Sequence, residues 1–244
     1  MYKTKTLLAF TLGFMFLSLS TLSASQKSAL DIINKAFSHS SSLQTYAFKA
    51  NVSEKEAQAD GTFLTYNYST TVKVNRPGQL RIDSKGKYLD RTMTINNGLY
   101  TVMRHDDNTY SQFKVPKNID DAIEAILHKY ELKKAPLASL VYSDISEHIK
   151  LHKGSYIASE KVKGVNCDHV RFTLKKRKVD VWVTQSKTPQ IVAYHINDSS
   201  QQPFINSKTT ITWNEKPNIS PKDFTFQAPK GSKKVDIVTE DSEE

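Results

Sequence analysis

Residues 62–83 read TFLTYNYSTTVKVNRPGQLRID, and the order of side chains in this stretch decides the fold class. From Thr62 to Val74 the even positions Leu64, Tyr66, Tyr68, Val72 and Val74 are mostly large and apolar or aromatic, whereas Thr65, Asn67, Ser69, Thr71 and Lys73 are polar. Successive side chains of a strand point to opposite sides, so this alternation predicts a strand with one dry face and one wet face. Arg76-Pro77-Gly78 interrupts it, because proline has no N–H for a ladder and glycine tolerates positive φ. The alternation restarts at Leu80 and Ile82, which predicts two consecutive antiparallel strands joined at NRPG.

Working outward, Ser28 to Phe37 (SALDIINKAF) places Leu30, Ile33, Ala36 and Phe37 on one side of a helix, with Ser28 and Asp31 at the spacing of a capping box. The serine-rich stretch from His39 to Ser42 ends that helix, and Tyr46, Phe48, Ala50 and Val52 alternate as a first strand. After the central pair, strands are expected over Leu89 to Ile95, Leu99 to Arg104 and Tyr110 to Val115. Asn97-Gly98 is the strongest turn signal among them. Short strands at regular spacing predict an antiparallel meander that curls into a barrel or half-barrel.

The period changes at Asn118. Ile119, Ile123, Ile126, Leu127 and Tyr130 follow helical spacing behind an Asn118 cap, Pro136 opens a second short helix carrying Leu137, Leu140 and Val141, and Ser143 to Ile149 adds a further turn or two. On spacing alone this insert, about 118–150, is equally a core-packing element and a cover over the sheet. Strands resume over Tyr156 to Val162, Asp168 to Leu174, Val179 to Val183, Ile191 to Ile196 and Ile205 to Trp213. Residues 25–238 therefore read as one mainly β domain with helices. The chain ends in an acidic run over 239–244 with nothing apolar to bury, which reads as a disordered tail.

At the other end, Lys3 and Lys5 precede an apolar run from Leu7 to Leu19, and small residues lead to a cleavage site after Ala24. This is the pattern of a secretory signal peptide over 1–24, and the apolar run is shorter than the roughly 20 residues that span a bilayer. Removing Lys3 and Lys5 lowers the formal charge from +9 to +7. The remaining Lys and Arg are scattered without aromatic interleaving, which argues against nucleic-acid binding. Cys167 is the one cysteine, so no disulfide framework staples the fold and no cysteine follows the leader to carry a lipid. A soluble periplasmic protein held by a hydrophobic core is expected.

Two segments carry a family resemblance. The V-x-R-P-x-x-L pattern of Val74-Asn75-Arg76-Pro77-Gly78-Gln79-Leu80 with the later Asn97-Gly98 turn, and the segment Asp223-Phe224-Thr225-Phe226-Gln227-Ala228-Pro229-Lys230-Gly231, resemble the LolA lipoprotein carriers in order and spacing. NRPGQLRI, PLASLVYSD, GVNCDHVRF and DFTFQAPKG are similar to a group of predicted periplasmic proteins within the same superfamily. The resemblance implies a curved antiparallel half-barrel covered by a helical lid. Shared parity along the strands and the helical stripe of the insert then give an expected ligand site, with Tyr66, Tyr68, Val72, Leu80 and Ile82 from strands facing Ile123, Ile126, Leu127 and Leu140 from that lid. Arg76, from the R-P motif, is implied to be a latch that reaches lid carbonyls when the cavity is empty, with Arg81 as a competing candidate.

For chemistry, Cys167-Asp168-His169 sets a thiol, a carboxylate and an imidazole in a row. In a strand Cys167 and His169 share a side and Asp168 faces away, so a buried structural cysteine is the preferred reading over a catalytic thiol. Zinc needs three or four ligands, and no C-x-x-C spacing occurs. No enzyme, metal or cofactor is expected. Two function classes remain. One is a carrier for lipid, acyl chains or lipoproteins that touches inner- or outer-membrane partners in passing; the other is an envelope-stress sensor or protein-interaction module on the same fold.

Overall fold

The computed structural model describes residues 28–58, 60–129, 136–149, 151, 153–199 and 204–236. The expected signal peptide, the acidic tail, Tyr130 and part of the Asp198 to Pro203 turn lie outside the described residues.

Among the described residues twelve strands form one sheet: β1 (Thr45–Ala57), β2 (Phe63–Asn75), β3 (Gln79–Gly86), β4 (Leu89–Asn96), β5 (Leu99–Arg104), β6 (Thr109–Lys114), β7 (Gly154–Val162), β8 (Val165–Leu174), β9 (Arg177–Thr184), β10 (Ile191–Asp198), β11 (Ile205–Asn214) and β12 (Lys233–Lys234). Their order is β12-β6-β5-β4-β3-β2-β1-β11-β10-β9-β8-β7. It is an open, curled antiparallel sheet, with β12 alone added in parallel. The two strand runs of the sequence therefore meet at β1 and β11, the first and last long strands, which pair from Ala47↔Asn214 to Glu56↔Ile205.

The NRPG turn behaves as its residues dictate, with Asn75 facing Gln79 across it and Val72 facing Ile82 further up the ladder. The Arg76–Pro77 peptide is cis. At Asn97-Gly98 both residues take positive φ, 48° and 94°, the conformation of the tightest hairpin turn and the reason Asn-Gly suits it.

Alternation sends Tyr46, Phe48, Ala50, Val72, Val74, Leu80 and Ile95 to one face, where they are buried with Val170, Phe172, Val181 and Val183 of the later strands. Among the described residues three helices close on that face: α1 (Ala29–Ser42), α2 (Ile119–Lys129) and α3 (Ile145–His148), with a 3₁₀ turn over Pro136–Val141 between the last two. Their apolar stripes, Ile33, Ala36 and Phe37 on α1 and Ile119, Ala122, Ile123 and Ile126 on α2, join the strand residues in a single cluster. The caps form as expected at Ser28, which accepts from Asp31 N at 3.3 Å, and at Asn118, which accepts from Asp121 N at 2.8 Å. Gly154 is where α1 meets the sheet, since a Cβ there would lie 2.4 Å from the Phe172 ring and 3.0 Å from Ala29.

One feature departs from the sequence reading. Helix α1 does not stop at His39 but runs to Ser42, because Ser40 is buried and the Ser42 hydroxyl donates back to the His39 carbonyl at 2.7 Å. The C-terminal segment forms a strap across the outer face. A 3₁₀ turn at Pro221–Phe224 buries Phe224 against β3 and β4, Lys73 pairs with Asp223, and the Phe226 ring meets Tyr110 at 5.1 Å before β12 joins β6.

Candidate functional site

The inner faces of β3, β4 and β5 and the underside of α2 leave a space of about 300 Å³. Leu80, Ile82, Met93, Ile95, Tyr100 and Val102 form its floor, Ile123, Ile126 and Leu127 its roof, Ala138 and Val141 close one side, and Thr94 and Arg91 complete the lining. Alternation explains the floor: Ile82 faces Met93 and Met93 faces Val102, so one row of apolar side chains crosses three strands. Helical spacing explains the roof, because Ile123, Ile126 and Leu127 project from one side of α2.

Five of the expected site residues, Leu80, Ile82, Ile123, Ile126 and Leu127, thus line one cavity. Val72 and Leu140 are buried beside it in the core and do not line it. Tyr66 and Tyr68 stand on the same face of β2 but toward the end of the strands away from NRPG. Tyr66 packs edge-on against Tyr88 with ring centroids 5.7 Å apart. Burial pushes the Tyr68 hydroxyl pKa up, aided by Glu54, while Arg91 acts in the opposite direction. Glu54 itself is raised by burial and by Glu56. Arg91, Met93, Ile95, Tyr100, Val102 and Val141 were not anticipated as cavity residues. The alternation of Leu89 to Ile95 and Leu99 to Arg104 carries the signal, but only the pairing of β3 with β4 and β5 says which parity faces the helices.

Arg76 is not a solvated turn residue. Its side chain is 6% exposed, and it donates from Nη2 to the Tyr142 carbonyl at 2.7 Å and to the Tyr46 hydroxyl at 3.2 Å, and from Nε to the Leu43 carbonyl at 3.1 Å. Asp120 at the start of α2 lies 3.8 Å from Nη1. One guanidinium therefore ties the NRPG turn, the end of α1 and the segment that follows the 3₁₀ turn, using the fixed fork that suits arginine to several acceptors. The Tyr46 hydroxyl donates in turn to the Leu140 carbonyl at 3.1 Å, and burial pushes its pKa up to about 12 against the pull of Arg76. Tyr142, whose hydroxyl donates to Glu124 at 2.6 Å, links the same segment to α2. Arg81 lies on the outer face, clasping Asp83 at 2.8 and 2.9 Å and donating to the Asp223 carbonyl at 3.3 Å, so it does not reach the helices.

The Cys167-Asp168-His169 run divides as strand parity requires. His169 stands on the outer face between two carboxylates, with Nε2 2.7 Å from Asp180 and Nδ1 2.8 Å from Glu160, and its ring stacks on Trp182 at 4.4 Å. Both ring nitrogens are thus occupied, and neither is left to take a proton from Cys167. Burial pushes the Cys167 thiol pKa up, away from a reactive thiolate. Burial also pushes Asp180 up, but hydrogen bonds and charges from Arg171 and His169 hold it below the usual carboxylate range. Among the described residues no group of three or more His, Cys, Asp or Glu could hold a metal ion, and no helix is long and apolar enough to cross a membrane.

A family described as "Predicted periplasmic protein (DUF2092)" matches residues 29–238. The chain belongs to this family. Its fold is similar to that of an uncharacterized conserved protein from Thermus thermophilus, at 8% identity and TM-score 0.49 over 86% of this chain and 100% of that one. It is also similar to a LolA superfamily protein from Nitrosomonas europaea, at 12% identity and TM-score 0.39 over 82% and 98% of the two chains. A DUF1329 family protein from Desulfovibrio piger matches at 12% identity and TM-score 0.35, over 81% and 94%. No curated protein matched the chain.

Proposed function

We propose that this protein is a periplasmic carrier that shields an acyl chain from water, with α2, the 3₁₀ turn and α3 acting as a lid over the cavity. The observation that carries the reading is the apolar space between β3–β5 and α2, because a closed core would fill it with side chains. Each methylene moved from water into such a space gains about 0.8 kcal/mol, so a single chain supplies useful affinity without any polar recognition. Arg76 fits the latch role: its bond to the Tyr142 carbonyl holds the segment beside the cavity, and an entering chain would have to displace that segment. The family description and the leader pattern of residues 1–24 support a periplasmic location.

Mass spectrometry of protein purified without detergent is the test, with copurified lipid or fatty acid as the expected result. A protein that carries no lipid, fails to bind a fluorescent fatty-acid probe and instead retains a stable protein partner would replace the carrier with the sensor reading. Fractionation should find the protein in the periplasmic extract; retention in the membrane pellet after a carbonate wash would contradict the location.

A further inference from the structure

We infer that Arg91 is a headgroup anchor, so that the cavity takes a single-chain amphiphile with an anionic carboxylate or phosphate head. The inference rests on the carrier reading and adds the ligand's chemistry to it. Arg91 is the only charged residue among those lining the cavity, and it is exposed while the rest of the lining is almost wholly apolar. An elongated ligand would therefore meet hydrocarbon walls within and a cation at the rim.

The ladder gives an independent reason for an anion at this point. Arg91 of β4 stands directly opposite Arg104 of β5, on the same face as the Met93↔Val102 pair that floors the cavity. Like charges directly opposite one another destabilise a sheet. Arg104 has its own acidic neighbours, Asp107 at 2.9 Å and Asp106 at 3.9 Å. Arg91 has no ion pair or side-chain hydrogen bond among the described residues. Its electrostatic neighbour is the Tyr68 hydroxyl, which also feels Glu54, three strands away on β1. A carboxylate or phosphate can accept two parallel bonds from the Arg91 fork and relieve the repulsion from Arg104 at once.

Cavity size limits the other half of the ligand. A volume of about 300 Å³ is at the lower end of small-molecule sites, which suits one chain and excludes several.

Calorimetric titration of the purified protein with decanoate, decanol and decyl phosphate tests this. Decanoate should bind at least about tenfold more tightly than decanol, as expected for a charge-assisted bond. Arg91→Gln should weaken decanoate about tenfold while leaving decanol unchanged, with an unaltered circular dichroism spectrum showing that the exposed substitution leaves the fold intact. Tighter binding of decyl phosphate than of decanoate would support the anchor and assign it to phosphate heads; the reverse would assign it to carboxylates. Equal affinity for acid and alcohol, or an Arg91→Gln loss that is the same for both, would overturn the anchor and leave the carrier standing. Failure of all three probes to bind would overturn the cavity reading and the anchor with it.

Discussion

Arg76 stands beside proline in a turn, yet its side chain is buried and satisfies the carbonyls of Leu43 and Tyr142. Arg76→Leu should therefore lower stability by about 2 kcal/mol, because buried acceptors lose a charged donor, and should also change the affinity for a fluorescent fatty-acid probe. Urea unfolding and probe titration measure the two effects; an unchanged midpoint together with unchanged probe binding would remove Arg76 from both roles. Glu54 allows a second test at this scale. Its pKa is raised in the folded state, so the ionised form is disfavoured by folding. That penalty is absent below the unfolded value near 4.3 and present at neutral pH. Glu54→Gln should raise Tm at pH 7 and leave it unchanged below about pH 4. An equal shift at both pH values would show that charge is not the cause.

At the scale of elements, α2 and the C-terminal strap make opposite predictions. The roof residues Ile126 and Leu127 face a space and not a filled core. Leu127→Ala should weaken acyl-probe binding several-fold while reducing stability by less than the 2–5 kcal/mol typical of a fully packed site. Phe224 of the strap is 1% exposed on the opposite face of the sheet. Phe224→Ala should cost about 3–5 kcal/mol and leave probe affinity alone in the fraction that remains folded. If Phe224→Ala altered binding as strongly as Leu127→Ala, the two faces of the sheet would not be functionally separate.

For the whole molecule, the outer face is held partly by charge. Lys73, with help from Ser220, holds the Asp223 carboxyl far below the usual range, and Arg171 and His169 together outweigh the burial of Asp180 and depress it too. A depressed carboxylate contributes stability that is complete above its unfolded pKa, near 3.9, and is lost as pH falls through the folded value. Melting temperature should hold between pH 7 and about pH 5 and fall on acidification below about pH 4. Asp223→Asn should flatten this acid limb; an unchanged limb in both Asp223→Asn and Asp180→Asn would place the acid sensitivity elsewhere.

Local chemistry wrote most of the elements plainly. Alternation in TFLTYNYSTTVKV, the breaks at NRPG and Asn97-Gly98, and the helical stripe from Ile119 to Leu127 need only near neighbours, so they were legible before any fold was known. The same periodicity named five cavity residues. What it could not supply was pairing across distance. That β1 pairs with β11, that Arg91 faces Arg104, that Tyr66 and Tyr68 stand away from α2, and that Phe224 crosses to the outer face are contacts between residues far apart in the chain. Side-chain period says that a residue has a face; only the closed set of strand partners decides which face meets the helices, how deep Arg76 is buried, and where a space is left between them.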